Sequence, residues 1–301
     1  MMHLLRQKRV KNGLIVLILL ATLAAFVLFF VHNPQYWHDL KTVSLWWIVA
    51  VVLLNIPMIG LLVLIYDACL QLCGKRLPWK ENFLLTSYSS IINFFGPLQS
   101  GPGVRAAYLK TRHDVRLRDY GLATLLYYGL FAFFSALFLL VGARPWWQTV
   151  LALAAVAGFS WFVFRYFARK EKRPAESQFH LHPNIVLKLA ILAFLQVLLT
   201  AITYYVELKA VNPHISPGQA MSYAGAANFA LFVSLTPDAI GFREAFLVLS
   251  QGLNHVSTAN IFSANVIDRA SYVLFLALLF LVVLATHAKD QLHIRGLKSL
   301  S

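Results

Sequence analysis

Apolar runs of about 20 residues recur along the whole chain, and each is long enough to cross the hydrocarbon core of a bilayer as an α-helix. The runs are continuously apolar and do not alternate, which favours helices over the strands of an outer-membrane barrel. The pattern predicts an all-α polytopic membrane protein. Six runs are predicted to be full spans, at residues 13–31, 44–70, 119–141, 146–167, 185–208 and 260–286.

Two further apolar stretches, 82–112 and 219–253, are interrupted in the middle by proline and glycine. The apolar part before each break is only about 13–17 residues, which is short for a span. Proline and glycine also interrupt a helix where they occur. Both stretches are therefore predicted to be re-entrant helical hairpins. The residues that break them are Pro97, Gly101 and Gly103 in the first and Pro237 and Gly241 in the second.

The composition agrees with a membrane protein and leaves no room for a large soluble domain. Hydrophobic residues make up 59% of the 301 residues and charged residues only 13%, about half the charged share of a soluble domain. The first run ends in Phe29-Phe30-Val31-His32, without the small residues of a signal-peptide cleavage site, so it is interpreted as a retained helix. The two cysteines, Cys69 and Cys73, have no further ligands nearby, and neither a metal site nor a cofactor is predicted.

The basic residues provide a test of the predicted topology. With the N-terminus in the cytoplasm and both hairpins re-entrant, 21 of the 26 Lys and Arg residues fall in cytoplasmic segments and three fall outside. The remaining two, Arg243 and Arg269, lie at membrane depth. Such a bias is the positive-inside pattern and places both termini in the cytoplasm of a plasma or inner membrane. A site for anionic lipids formed by the same loops is the alternative use of this charge.

The two broken stretches resemble each other and suggest an internal repeat. The first contains Ser87-Tyr88, Asn93-Phe94 and Gly103-Val104-Arg105, and the second contains Ser222-Tyr223, Asn228-Phe229 and Gly241-Phe242-Arg243. Each half, 1–145 and 146–301, would hold two spans, one hairpin and one more span. Because three spans is an odd number, the second half would be inverted in the membrane, as in many secondary transporters.

Arginines follow both breaks and are the leading candidates for binding an anionic headgroup. Arg105 and Arg243 each lie just after a predicted helix start, where unpaired N–H groups and a forked donor suit phosphate or carboxylate. Arg105 would alternatively be an ordinary positive-inside residue. Glu244 would pair with Arg243, satisfy the helix dipole or carry a coupling proton.

Four more polar residues are notable for their depth in predicted helices. Arg269 lies inside the last span next to Asp268, so it is either a functional residue or part of a structural ion pair. Asn93 and Asn228 precede the breaks and would cap freed backbone groups or contact substrate. Glu207, like Asp67 in the first half, is interpreted as an interfacial residue near the end of a span.

These residues carry a resemblance to a known family. The segment from Thr236-Pro237 to Gly241-Phe242-Arg243-Glu244-Ala245, followed by Arg269, resembles the Pro…Gly-x-Arg-Glu…Arg signature of the flippase-like family, also called the lysylphosphatidylglycerol synthase transmembrane region. The stretch from Asn93 to Arg105 resembles its other motif, although Ser100-Gly101-Pro102 departs from the glycine-rich form. The resemblance implies movement of lipids or lipid-linked molecules across the cytoplasmic membrane. It does not imply synthase activity, because the attached aminoacyltransferase domain is not found in this chain.

The leading functional hypothesis is therefore a non-enzymatic flippase for a lipid or lipid-linked molecule with an anionic headgroup. Arg105 and Arg243 would bind phosphate, while Arg269 and Glu244 would shape the cavity. The alternatives are an ion-coupled transporter of a small solute and a membrane scaffold for a lipid-synthesis enzyme. The expected partners are membrane lipids, anionic ones above all, with a lipid-synthesis enzyme as a further possible partner, and nucleic acid is not expected despite the net charge of +14.

Overall fold

A computed structural model describes residues 44–95, 100–141, 179–233 and 242–298, together with the single positions Val31, Ala154 and Gly158. In the last helix the side chains are described as far as Thr286. The predicted spans 13–31 and 146–167 lie outside the described residues except for those single positions. The break residues Pro97, Pro237 and Gly241 lie outside them as well.

The described ranges form nine α-helices and contain no β-strand. In chain order they are α1 (Leu45–Leu72), α2 (Trp79–Phe95), α3 (Gly101–His113), α4 (Leu117–Val141), α5 (Pro183–Val211), α6 (Pro217–Val233), α7 (Phe242–Leu249), α8 (Gln251–Asn254) and α9 (Thr258–Lys298).

Four helices are long and apolar enough to cross a membrane: α1, α4, α5 and the Thr258–Thr286 part of α9. They coincide with four of the six predicted spans. Large apolar side chains on their outer faces, such as Trp46, Ile56, Leu187 and Leu281, are exposed. Such exposure would be costly in water but is expected of helices whose outer faces contact lipid tails. The chain is thus a multi-pass membrane protein built from helices.

The first broken stretch forms a pair of antiparallel helices, α2 and α3. At one end, Tyr108 and His113 of α3 contact Glu81 in the first turn of α2. At the other end, Gly101 at the start of α3 packs against Ser89 and Asn93 of α2 so closely that a Cβ at Gly101 would overlap the Ser89 carbonyl oxygen. Gly101 is therefore required for the two arms to approach. Gly103, by contrast, faces open space.

The helix packing has a regular pattern. α1 and α5 pack together as antiparallel helices, since the backbone N–H of His180 donates to the Leu72 carbonyl and Lys188 pairs with Asp67. Around this pair, α4 packs on α5 and α6, while α9 packs on α1 and α2. The contacts of α2 with α1 and α3 have counterparts in those of α6 with α5 and α7. α9 also packs on α5, and α4 also packs on α1, so the α1–α5 pair contacts both of these spans.

The contact between α4 and α6 is very close. Gly225 of α6 lies against the α4 backbone, where a Cβ would overlap the Ser135 carbonyl oxygen and the Leu139 amide nitrogen. The neighbours Ala224, Ala226 and Ala227 are fully buried. Small residues at a helix interface let two backbones approach in a membrane, where van der Waals packing drives association.

We expect Gly225→Ala to destabilise the protein by about 1–3 kcal/mol, because the added methyl group must push α6 away from α4. Thermal unfolding of the purified protein in detergent measures this loss. The matched control is Gly129→Ala on α4, because a Cβ at Gly129 meets no atom within 4 Å. Equal unfolding temperatures for the two variants would show that the α4–α6 contact is not as close as described.

Candidate functional site

Three arginines are almost completely buried: Arg105 on α3, Arg243 on α7 and Arg269 on α9 are 0%, 5% and 2% exposed. A guanidinium group keeps its charge under all physiological conditions, and removing it from water is expensive unless other groups compensate it. The partners of these three side chains therefore define the chemistry of the interior. They differ between the first and the second half of the chain.

Arg105 is held by neutral groups. Its Nη1 donates to Oγ1 of Thr86 at 2.9 Å, its Nη2 donates to Oδ1 of Asn82, and its guanidinium lies 4.1 Å from the centre of the Tyr66 ring. Asn82 is fixed in turn by donating to the Val63 carbonyl at 3.0 Å. Among the described residues no carboxylate forms an ion pair with Arg105, and its Nε has no hydrogen-bond partner. This side chain can still accept an anionic partner.

The position of Arg105 adds to its suitability for an anion. Arg105 lies about one turn from the start of α3, where the first N–H groups of a helix have no partner within the helix. The helix dipole places partial positive charge at the same end. The guanidinium group therefore belongs to a residue only four positions after the first residue of α3.

Arg243 and Arg269 are both neutralised by carboxylates. Nη2 of Arg243 lies 2.5 Å from Oδ2 of Asp268, and its Nη1 donates to the Tyr204 hydroxyl at 3.2 Å. Nη2 of Arg269 donates to Oε1 of Glu244 at 2.7 Å. Two consecutive residues of α7 therefore pair with two consecutive residues of α9. These two ion pairs, which have opposite orientations of charge, hold the short helix α7 against the last span.

The ion pairs between α7 and α9 show which charged groups contact each other in this region. Glu244 forms an ion pair with Arg269 of the last span, as expected if adjacent residues of α7 point in different directions. Arg269 is a member of an ion pair, and so is Arg243. Any anion that binds to either of them must compete with a carboxylate that is already in place.

A third acidic residue, Glu207 on α5, lies beside these pairs. It is 0% exposed and interacts electrostatically with Asp268 and Arg243. Glu207 is therefore enclosed by packed helices and is not exposed at the surface of the protein. Asp67, its counterpart near the end of α1, is one quarter exposed, accepts a hydrogen bond from Gln71 and pairs with Lys188, as expected of an interfacial group.

The two asparagines before the breaks have different surroundings. Asn228 on α6 donates to the Ser135 hydroxyl of α4 at 3.2 Å, so its amide group links two helices. Oδ1 of Asn93 is buried near Gly101 and has no hydrogen-bond partner in the described ranges. Asn93 therefore keeps an acceptor available at the hairpin break, whereas the Asn228 amide nitrogen is occupied by a structural contact.

Sequence reasoning missed the neutral groups around the arginines. Asn82 and Thr86 lie four residues apart on α2 and therefore share a helix face. Tyr204 and Glu207, three residues apart on α5, do the same. This spacing of polar residues within apolar helices is the signal in the sequence that could have identified these partners.

Glu81 closes the open end of the first hairpin. Its Oε1 accepts a hydrogen bond from the Tyr108 hydroxyl at 2.7 Å and lies 2.6 Å from Nε2 of His113. Burial alone would raise the pKa of Glu81, but the contacts with Tyr108 and His113 outweigh burial and lower it. The carboxylate therefore stays ionised at neutral pH and holds the first turn of α2 to the end of α3.

The two arginine clusters lie at opposite ends of α5. Tyr66, which stacks on Arg105, is next to Asp67, and Asp67 pairs with Lys188 near the start of α5. Arg243 contacts Tyr204 near the end of the same helix. At 1.5 Å per residue, the sixteen positions between Lys188 and Tyr204 correspond to about 24 Å. This separation is close to the thickness of the hydrocarbon core, about 30 Å.

The fold and these sites define a polytopic helical membrane protein with two clusters of buried charge. Over residues 14–279 the chain matches the family described as the lysylphosphatidylglycerol synthase TM region, and it belongs to that family. The family connects the protein with the handling of membrane lipids. No curated protein matches the chain at a significant level.

We expect the Arg243–Asp268 ion pair to be strongly coupled, because removal of either partner leaves a buried charge uncompensated. Arg243→Gln and Asp268→Asn should each lower stability by about 3 kcal/mol, and the double variant should lose clearly less than the sum of the two. Thermal unfolding in detergent, as a double-mutant cycle, measures the coupling.

The control cycle uses Asp67→Asn and Lys188→Gln. That pair is separated by 3.4 Å, and its side chains are 25% and 40% exposed. Its coupling should be below about 1 kcal/mol. If the effects of the Arg243 and Asp268 substitutions simply add, the ion pair does not hold α7 to α9.

Proposed function

We propose that the protein translocates a lipid or lipid-linked molecule with an anionic headgroup across the cytoplasmic membrane. Membership of a family concerned with membrane lipids supplies the chemical context. The observation that carries the proposal is the environment of Arg105, a fully buried guanidinium whose described partners are all neutral. A buried charge of this kind in a membrane protein is a functional-site hypothesis by default.

Phosphate is the group that best fits this site. A guanidinium can donate two parallel hydrogen bonds to phosphate, and the start of α3 offers N–H groups to the same anion. Asn82, Thr86 and Tyr66 hold the guanidinium in place without cancelling its charge. The headgroup of a phospholipid or of a lipid-linked sugar phosphate carries such a group. The acyl chains would remain in the surrounding lipid.

The second cluster has a different part in the proposed cycle. Because Asp268 and Glu244 neutralise Arg243 and Arg269, neither arginine binds a headgroup strongly while its ion pair is intact. An arriving phosphate would exchange with a carboxylate and thereby loosen α7 from α9. Arg105 would thus capture the headgroup, and Arg243 and Arg269 would receive it at the other end of α5.

The proposed path rests on an inverted repeat of two halves, 1–145 and 146–301. Three features support this arrangement. The contacts of α2 with α1 and α3 have counterparts in those of α6 with α5 and α7, and α1 and α5 are antiparallel. In addition, one of the two arginines that follow the breaks lies toward each end of α5. The hairpins 82–112 and 219–253 would then enter from opposite sides of the membrane. The positive-inside bias favours cytoplasmic N- and C-termini.

An ion-coupled transporter of a small anionic solute is the second candidate. The observation in its favour is the carboxylate-rich second cluster, since buried carboxylates at membrane depth often carry coupling ions. The same architecture of broken helices would serve it. Movement of lipid in purified protein discriminates between the two.

We expect Arg105→Ala to reduce lipid movement at least tenfold, because one charge-assisted contact to phosphate is worth about 1.5–3 kcal/mol. The assay uses the purified protein in proteoliposomes that contain a headgroup-labelled phosphatidylglycerol, with loss of fluorescence on quenching from outside as the readout. Arg105→Lys keeps the charge without the fork and should retain part of the movement.

Lys110→Ala is the matched control, because Lys110 lies on the same helix with an exposed side chain. It should leave the rate unchanged. All variants are first compared by gel filtration, so that misfolded protein is not counted as inactive. The proposal would be wrong if well-folded Arg105→Ala moved the labelled lipid as fast as the unchanged protein.

A further inference from the structure

Glu207 is a buried acid without a donor. Both of its carboxylate oxygens are shielded from solvent, and neither receives a hydrogen bond from any described residue. Its neighbour Asp268 lies close enough for a hydrogen bond between the two carboxyl groups. Such a bond exists only when one of the two groups holds a proton, because an ionised carboxylate can only accept.

The charges around Glu207 make a proton at this position favourable. Asp268 faces it from α9 and Arg243 faces it from α7, and they form an ion pair with each other. The phenol groups of Tyr204 on α5 and Tyr223 on α6 belong to the same cluster. Among the described residues, α1 and α4 contribute no charged group to the surroundings of Glu207. With Glu207 ionised, one buried arginine would face two carboxylates, which leaves a net negative charge in a medium of low dielectric constant.

From this geometry we propose that Glu207 binds and releases a proton during transport and that its protonation state controls the Arg243–Asp268 ion pair. Its place in a transport cycle rests on the proposed function, whereas the binding of the proton does not. When Glu207 holds the proton, its hydroxyl donates to Asp268, and Asp268 remains paired with Arg243. This state holds α7 against α9.

Release of the proton changes the balance of charge. The ionised Glu207 then competes with Asp268 for Arg243, so the ion pair weakens and the two carboxylates repel each other. The Arg243–Asp268 ion pair between α7 and α9 is then lost, while the Glu244–Arg269 pair remains. One proton enters Glu207 from one aqueous side and leaves to the other in each cycle. The electrochemical gradient of protons thereby supplies the free energy of movement.

Glu244 is less suited to this role than Glu207. It is directly bound to Arg269 at 2.7 Å, and its side chain is 14% exposed, so its negative charge is compensated in place. A proton on Glu244 would break its ion pair with Arg269. Of the three acidic residues in the second cluster, Glu207 is the one whose own oxygens lack donors in the described structure.

Infrared difference spectroscopy of the purified protein tests the proton site directly. We expect the unchanged protein to show a protonated-carboxyl band that rises and falls with pH. This band should be absent in Glu207→Gln, because glutamine is uncharged like a protonated glutamate but has no carboxyl group. It should be present in Glu207→Asp. Asp67→Asn is the matched control, because it removes a part-exposed carboxylate near the end of α1, and it should leave the band unchanged.

Proteoliposomes with an imposed pH gradient test the coupling. The gradient should change the rate of movement of labelled phosphatidylglycerol about fivefold or more in the unchanged protein and in Asp67→Asn. Glu207→Gln, if monodisperse, should show no response, and Glu207→Asp should retain part of it. A response to a sodium gradient in place of the pH gradient would overturn the proposal.

The two measurements separate this proposal from the proposed function. A carboxyl band that persists unchanged in Glu207→Gln overturns the proton site, even when labelled lipid moves and depends on Arg105. A band that titrates and disappears in Glu207→Gln supports the proton site, even when no variant moves lipid. The absence of lipid movement in every variant would contradict the proposed lipid translocation but not the proton site.

Discussion

The requirement that a buried charge be compensated governs the interior of this protein. Three guanidinium groups are enclosed by apolar helices, where water cannot solvate them. In the second half, carboxylates from neighbouring helices neutralise two of these guanidinium groups, and the resulting ion pairs connect α7 to α9. In the first half, Arg105 has only neutral described partners. The positions of the hairpin arms relative to the spans depend on how each charge is satisfied.

This difference gives the two ends of α5 distinct chemical properties. The cluster at Arg105 has spare positive charge, so it favours an incoming anion. The cluster at Arg243 contains its own anions, so a ligand binds there only by exchange. The two buried clusters therefore differ in charge, although each of them lies between packed helices of the same membrane protein.

Much of the fold followed from the hydrophobic pattern, but the pairing of charges did not. Four spans and the antiparallel α2–α3 pair were predictable because apolar length and Pro–Gly breaks are local properties. The partner of Glu244 was not predictable, because Glu244 and Arg269 are 25 residues apart in the chain. Which sides of α7 and α9 face each other depends on tertiary packing. The enclosure of Glu207 was not predictable for the same reason: its distance from the end of α5 says nothing about which helices pack around it. The close contact at Gly225 likewise depends on where α4 lies.

The central claim is that Arg105 holds an anionic lipid headgroup, and native mass spectrometry of the purified protein tests it most directly. The unchanged protein should retain a phosphate-containing lipid, and Arg105→Ala should lose it while Lys110→Ala retains it. Retention of the same lipid in equal amount by well-folded Arg105→Ala would contradict the account.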